Sequence, residues 1–121
     1  MVPVLVIDRD RDRLADSARV LAGYGYCPLT TRSNSEALAV LRDMPVQVAV
    51  AQVVPSDADD IALIDTIRRH FPHVSVVAAV DARAVRRGRV ALDVTAIVHQ
   101  PFAPALLINA VGRCLFRQLA A

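Results

Sequence analysis

The sequence predicts an α/β fold: a doubly wound (βα)5 unit built on a parallel five-stranded sheet in the order 2-1-3-4-5. Three observations predict it. Five short apolar runs rich in valine recur along the chain, and each leads into a segment whose apolar residues fall at helical spacing. The first run, Val2 to Ile7, is apolar almost without interruption, as a parallel strand covered on both faces requires. The chain has 121 residues, 55% hydrophobic and 21% charged, which suits one domain, 1–121, able to bury a core without disulfide or metal. Right-handed crossovers between parallel strands then give the stated strand order, with ligands expected where the carboxyl ends of strands one and three diverge.

Each element has its own warrant. After the first strand, Leu14, Ala18 and Leu21 repeat at i, i+4 and i+7 and predict a helix over Asp12 to Ala22, stopped by Gly23 and Gly25. Tyr26 to Thr31 is a weaker strand, and Pro28, which cannot donate to a ladder, assigns it to a sheet edge. Ser33-Asn34-Ser35-Glu36 reads as a capping box opening a helix that runs to Asp43. Val46 to Gln52 is the third strand, closed by Val53-Val54-Pro55. The carboxylates of Asp57, Asp59 and Asp60 then suit the start of a third helix, which carries Ile61, Ile64 and Ile67 and ends before Pro72. Val74 to Val80 is the fourth strand, Ala82 to Leu92 an arginine-rich helix interrupted by Gly88, and Val94 to His99 the fifth strand. Pro104 opens a last helix with Leu107, Val111, Cys114 and Leu115 on its apolar face.

Composition narrows the chemistry. All 14 basic residues are arginine, and every acidic residue but Glu36 is aspartate. The absence of lysine excludes a phosphate-binding loop of the lysine type and any Schiff-base mechanism. Cys27 and Cys114 form no disulfide framework and fit a reducing cytoplasm. The apolar run at the start is too short for a signal peptide, and no stretch reaches the ~20 apolar residues that span a bilayer, so the expectation is a soluble cytoplasmic protein.

The residues at the strand ends are Asp8, Arg9 and Asp10 after strand one, Ala51 and Gln52 at the end of strand three, Val80 and Asp81 at strand four, and His99-Gln100-Pro101-Phe102 at strand five. An apolar strand ending in Asp8, a third strand followed by Pro55, and a fifth strand ending before Pro101-Phe102 resemble the receiver domain of bacterial two-component response regulators, a flavodoxin-like fold, over essentially the whole chain. In that family two acidic residues after strand one and an aspartate ending strand three bind Mg2+, and the third aspartate accepts a phosphoryl group from a histidine kinase. A hydroxyl ending strand four and a lysine before the strand-five proline contact the phosphoryl oxygens.

Carried onto this chain, the resemblance puts the first acid at Asp8, but the second position holds Arg9 and the acceptor position, four residues before Pro55, holds Ala51. The hydroxyl position holds Val80, the lysine position Gln100, and the aromatic switch position of strand five Ile97. Phosphoryl transfer needs an oxygen nucleophile and a cation to neutralise the transferring group, and Ala51 offers no nucleophile. The mapped pocket falls from a formal charge of about −2 to about zero, Asp8 against Arg9, so no Mg2+ and no other cofactor is expected. A guanidinium, that of Arg9, is expected beside Asp8 in the space of the absent metal and lysine. A slip of alignment brings only Asp10 or Gln52 into play, and no shift places an aspartate on strand three.

Other readings are weaker. His70 and His73 flank a helix end and His99 lies on a distant strand, so the three do not form a metal site; His70 instead suits the dipole at a helix C-terminus. There is no Gly-x-Ser-x-Gly elbow and no dinucleotide fingerprint, which argues against an enzyme. Arg83, Arg86, Arg87 and Arg89 form the densest basic cluster, and with Ile97 and Phe102 they are the candidate partner surface, although a solvated helix face is the simpler account of the arginines. Aromatics make up 4% of the chain and the net charge is +2, so direct nucleic-acid binding is not expected, and an acidic protein surface is the better complement.

The reading that follows is a pseudo-receiver: a non-phosphorylatable signalling domain in a bacterial two-component or related pathway, acting through protein–protein interaction. Its partner is expected to be another protein or another domain of a longer chain, such as a histidine kinase or an output domain, or a second copy in a homodimer. The alternatives are a receiver phosphorylated at a non-standard residue, or a small-ligand sensor using the emptied switch-point cleft.

Overall fold

The computed structural model describes residues 1–85 and 92–120. Five strands, β1 (Pro3–Ile7), β2 (Cys27–Thr31), β3 (Val48–Gln52), β4 (Ser75–Asp81) and β5 (Ala96–Gln100), pair in parallel in the order β2-β1-β3-β4-β5. The helices are α1 (Arg11–Gly23), α2 (Asn34–Asp43), α3 (Ala58–His70), α4 (Ala82–Val85) and α5 (Pro104–Ala120). Strand order and alternation are those the sequence predicts.

Side-chain alternation along the central strands divides the core into two layers. Leu5, Ile7, Ala49, Ala51, Val76, Ala78 and Val80 face Leu41, Leu63, Ile64 and Ile67 of α2 and α3. Val4, Val6, Val48, Val50, Val77 and Val98 face Leu14 and Leu21 of α1 and Leu107 and Val111 of α5. Strands apolar on both faces are what place helices on both sides. The registers Ile7 with Ala51 and Val80 with His99 bring the carboxyl ends of the strands to one edge, where the loops carrying the polar residues meet.

Local details follow the sequence with small displacements. Pro28 lies on the edge strand β2, opposite Val4. Gly25 takes φ +91°, the left-handed backbone that ends the α1 region and that a side chain would resist. Ser33 caps α2 by accepting from the Glu36 amide at 3.2 Å, but the Glu36 carboxylate reaches past Ser33 to the Arg32 amide at 3.2 Å, one residue before the expected donor. The last helix is pinned at its far end: Gln118 Nε2 lies 2.8 Å from the Gln47 carbonyl, 2.9 Å from Ser75 Oγ and 3.2 Å from the His73 carbonyl. Ala82 to Val85 starts the expected fourth helix; its expected end, Leu92, is not helical, and the span between, with Arg86, Arg87 and Arg89, lies outside the described residues. No helix among the described residues is long and apolar enough to cross a membrane.

Candidate functional site

Two loops at the carboxyl edge of the sheet are built alike. After β1, Asp10 adopts an extended backbone and its Oδ1 accepts the amides of Asp12 and Arg13, each at 3.0 Å, which starts α1. After β3, Asp57 does the same for α3, accepting the amides of Asp59 at 2.9 Å and Asp60 at 3.2 Å. The capping N–H groups, Arg13's in the first case and Asp60's in the second, hold both carboxyls below their ordinary pKa.

Each cap sets a residue of the first helical turn to reach back over the site. Arg13 returns to Asp8: Nε lies 3.0 Å from Oδ2 and Nη2 2.9 Å from Oδ1, a two-pronged pair on a carboxylate that is only 5% exposed. The Asp10 amide adds a third donor to Asp8 Oδ1 at 2.9 Å. The hydrogen bond to Asp8 also raises the Arg13 pKa. On the other side Asp60, equally buried, accepts the Val54 amide on Oδ2 at 2.9 Å and Arg9 Nη2 on Oδ1 at 3.1 Å. Arg9 Nη1 lies 3.4 Å from Asp57 Oδ2.

The guanidinium beside Asp8 is therefore Arg13, and the expectation of Arg9 there is corrected. Consecutive side chains leaving a strand point apart, so Arg9 swings toward α3, whereas the first turn of α1 carries Arg13 back to the strand end. Asp60, read from sequence as a helix-start carboxylate, is a buried acceptor joining two loops. The signals for both were present in the spacing: each residue stands three positions after its capping aspartate.

The remaining mapped positions carry no reactive oxygen. Ala51 and Val80 are buried in the apolar layer beneath α2 and α3. Gln52, the next residue on β3, borders the site, and its Oε1 is buried with no hydrogen-bond partner among the described residues. Between Asp8, Arg9, Arg13, Gln52 and Asp60 there is a cavity of about 70 Å3. Beside it, between α1 and the start of α5, a larger cleft of about 420 Å3 is lined by Gln52, Asp81, Gln100, Pro101 and Phe102 among others. Arg83 is exposed and donates its amide to Asp81 Oδ1 at 2.8 Å. Ile97 is 44% exposed on β5, whereas Phe102 packs into the α1–α5 layer, so the two do not share one surface.

The donor set does not fit the Mg2+ that the fold family implies. A hard dication needs several oxygens with lone pairs free at one point. Both Asp8 oxygens are engaged by Arg13, both Asp60 oxygens are engaged by Arg9 and Val54, and two guanidinium groups already supply the positive charge. Among the described residues, no three His, Cys, Asp or Glu side chains gather as a ligand set.

No protein-family model matches the sequence, and a search of curated proteins finds no match. Solved structures do resemble it. NtrX from Brucella abortus in complex with ADP aligns with a TM-score of 0.82 at 24% identity, covering 99% of this chain but 28% of NtrX. A response regulator receiver domain protein from Clostridium thermocellum aligns with a TM-score of 0.83 at 18% identity, covering 99% of this chain and 98% of that one. A CheY-like receiver domain protein from Methanospirillum hungatei gives 0.82 at 17%, with the same coverage. The chain thus has the flavodoxin-like fold of response regulator receiver domains, and it spans little more than a quarter of the longer of these neighbours.

Proposed function

We propose that this chain is a signalling domain of receiver type that takes no phosphoryl group and acts by binding another protein or another domain of a longer polypeptide. The observation that carries the reading is the Arg13–Asp8 pair: the acid that the receiver resemblance carries to the metal position is already paired from within, and the residue it carries to the acceptor position, Ala51, has only a methyl group, buried in the apolar layer. Phosphoryl transfer to a receiver requires a dication and an oxygen nucleophile together. Here Arg13 and Arg9 hold the loops after β1 and β3 in one arrangement without either. A domain so fixed signals through whether its partner is docked, not through a chemical change at this edge.

Its resemblance to receivers embedded in longer proteins supports a partner that is an adjoining output domain or a separate protein such as a kinase. Arg83 belongs to the candidate contact surface, and an acidic face is its natural complement. The test is a titration with beryllofluoride or acetyl phosphate in the presence of Mg2+, followed by amide chemical shifts and intact mass. The expected outcome is no saturable response at Asp8, Ala51 or Gln52 and no gain of a phosphoryl group. An acid-stable, base-labile acyl phosphate after incubation with a kinase would overturn the proposal.

A further inference from the structure

The cleft between α1 and α5 is lined by apolar side chains on its walls and polar ones at its base. Its wall is apolar, with Val20 of α1, Phe102 from the loop after β5, and Pro104 and Leu107 from the start of α5. Its floor is polar, formed by Gln52 at the end of β3 and Asp81 at the end of β4. At about 420 Å3 it falls in the lower part of the range that holds small organic ligands, and a mostly apolar wall with a few convergent polar groups is the usual design of such sites.

The charged groups of the lining differ in how they are paired. Arg13 borders the cleft with its guanidinium hydrogen-bonded to Asp8, and it also feels the charge of Asp81. Asp16 is held on the solvent side by Arg19 at 3.1 Å. Asp81 uses Oδ1 to accept the Arg83 amide and has no ion-pair partner among the described residues. The Gln52 Oε1 is the one buried side-chain oxygen among them that accepts no hydrogen bond. A carboxamide turns easily about its last side-chain bond, so this acceptor can be presented to the cleft beside Asp81.

We propose that the cleft binds a small amphipathic ammonium compound. Its N–H head sits between Asp81 and the Gln52 carboxamide, and its apolar body lies against Val20, Phe102 and Leu107. The two acceptors call for donors and one positive charge, and the wall calls for a hydrocarbon or aromatic body. An anion of the same shape meets a carboxylate instead. Such a ligand bridges α1, β4 and α5, and so gives a domain without phosphoryl chemistry a means of responding to a small molecule. The inference does not depend on the absence of phosphorylation.

The test uses phenethylammonium as probe, phenylacetate as the anion of the same body, and ammonium chloride as the head alone. Amide shifts of the full chain are followed for each. Phenethylammonium is expected to saturate shifts at Gln52, Asp81 and Phe102, with phenylacetate and ammonium weaker by about tenfold or more. Asp81→Asn, which can still accept the Arg83 amide, is expected to weaken phenethylammonium by about fivefold or more, and Ser17→Phe, at the cleft wall, to abolish it. No saturable shift up to about 20 mM, equal binding of phenylacetate, or unchanged affinity in Asp81→Asn overturns the proposal. Should Ser17→Phe fail to fold, the Asp81→Asn and phenylacetate comparisons decide alone.

Discussion

Arg13 grips Asp8 with two parallel hydrogen bonds, Nε to Oδ2 at 3.0 Å and Nη2 to Oδ1 at 2.9 Å, so the strand-end carboxylate is neutralised by the helix that follows it. The pair joins a buried acid to a half-exposed base, the Arg13 side chain being 48% exposed. That asymmetry decides which substitution is costly.

Removing Arg13 strands a carboxylate away from water, whereas removing Asp8 leaves a guanidinium that can turn to solvent. Arg13→Ala is expected to cost about 2–3 kcal/mol, below the figure for a fully buried pair because the arginine is half solvated. Asp8→Asn is expected to cost less. Urea unfolding followed by circular dichroism, with the double variant closing the cycle, measures the coupling directly.

The second pair behaves differently because Arg9 gives its acid one hydrogen bond, where Arg13 gives Asp8 two. Asp60→Ala leaves the Val54 amide without its acceptor and is expected to cost about 1–3 kcal/mol. Arg9→Ala, at a side chain 54% exposed, removes only one of two partners from Asp60 and is expected to cost about 1 kcal/mol or less. An Arg9→Ala loss equal to that of Arg13→Ala in the same urea measurement would contradict this ordering.

The sheet was legible in the sequence because its strands are bare of polar side chains where both faces are covered, and Pro28 marked the edge on chemical grounds. The starts of α2 and α3 were legible because caps such as Ser33 and Asp57 act within three residues, whereas the Asp10 cap of α1 went unread and that start was placed one residue late, at Asp12. The pairing of Arg13 with Asp8 was not, since adjacency in sequence favoured Arg9 and only the direction of the first helical turn decides between them. Asp60 stands in the first turn of α3 as expected, but its further role was not legible: a carboxylate in a first turn reads as dipole complement until the preceding loop is seen folded under it. Gln118 carries no local pattern at all, because its partners, Gln47, His73 and Ser75, come from the opposite end of the sheet.

That distant contact makes its own prediction. Gln118 Nε2 is shared among three oxygens, and Gln118→Ala is expected to destabilise the chain by about 1 kcal/mol. Hydrogen exchange checks it: the last turns of α5 should exchange faster while α1 keeps its protection, and uniform change in both would assign the effect to global stability instead.

Acid should loosen both capped loops together. The Asp10 and Asp57 carboxyls lie below their ordinary pKa of 3.8 in the folded chain, so the stability they contribute is present above that value and is lost as pH falls through the depressed folded pKa. Urea midpoints taken from about pH 6 to about pH 2.5 should therefore decline at the acid end. Replacing both residues by asparagine, which still caps a helix, should leave the midpoint near pH 6 little changed and flatten the acid decline. An equally steep decline in the double variant would place the acid sensitivity elsewhere.

Restoring a metal site tests whether Arg13 is what excludes the cation. Arg9→Asp with Ala51→Asp puts carboxylates at the two positions where the receiver resemblance would have them, yet leaves Asp8 with both oxygens held by Arg13. Adding Arg13→Met frees those oxygens and removes the competing charge, so three carboxylates become available to one hard dication. Mg2+ titrated against amide shifts should bind the triple variant at least about tenfold more tightly than the double, a difference of about 1.4 kcal/mol. Equal affinity in the two would mean that the guanidinium yields its place to the metal at little cost, and the internal arginine would lose its role as the group that closes the pocket.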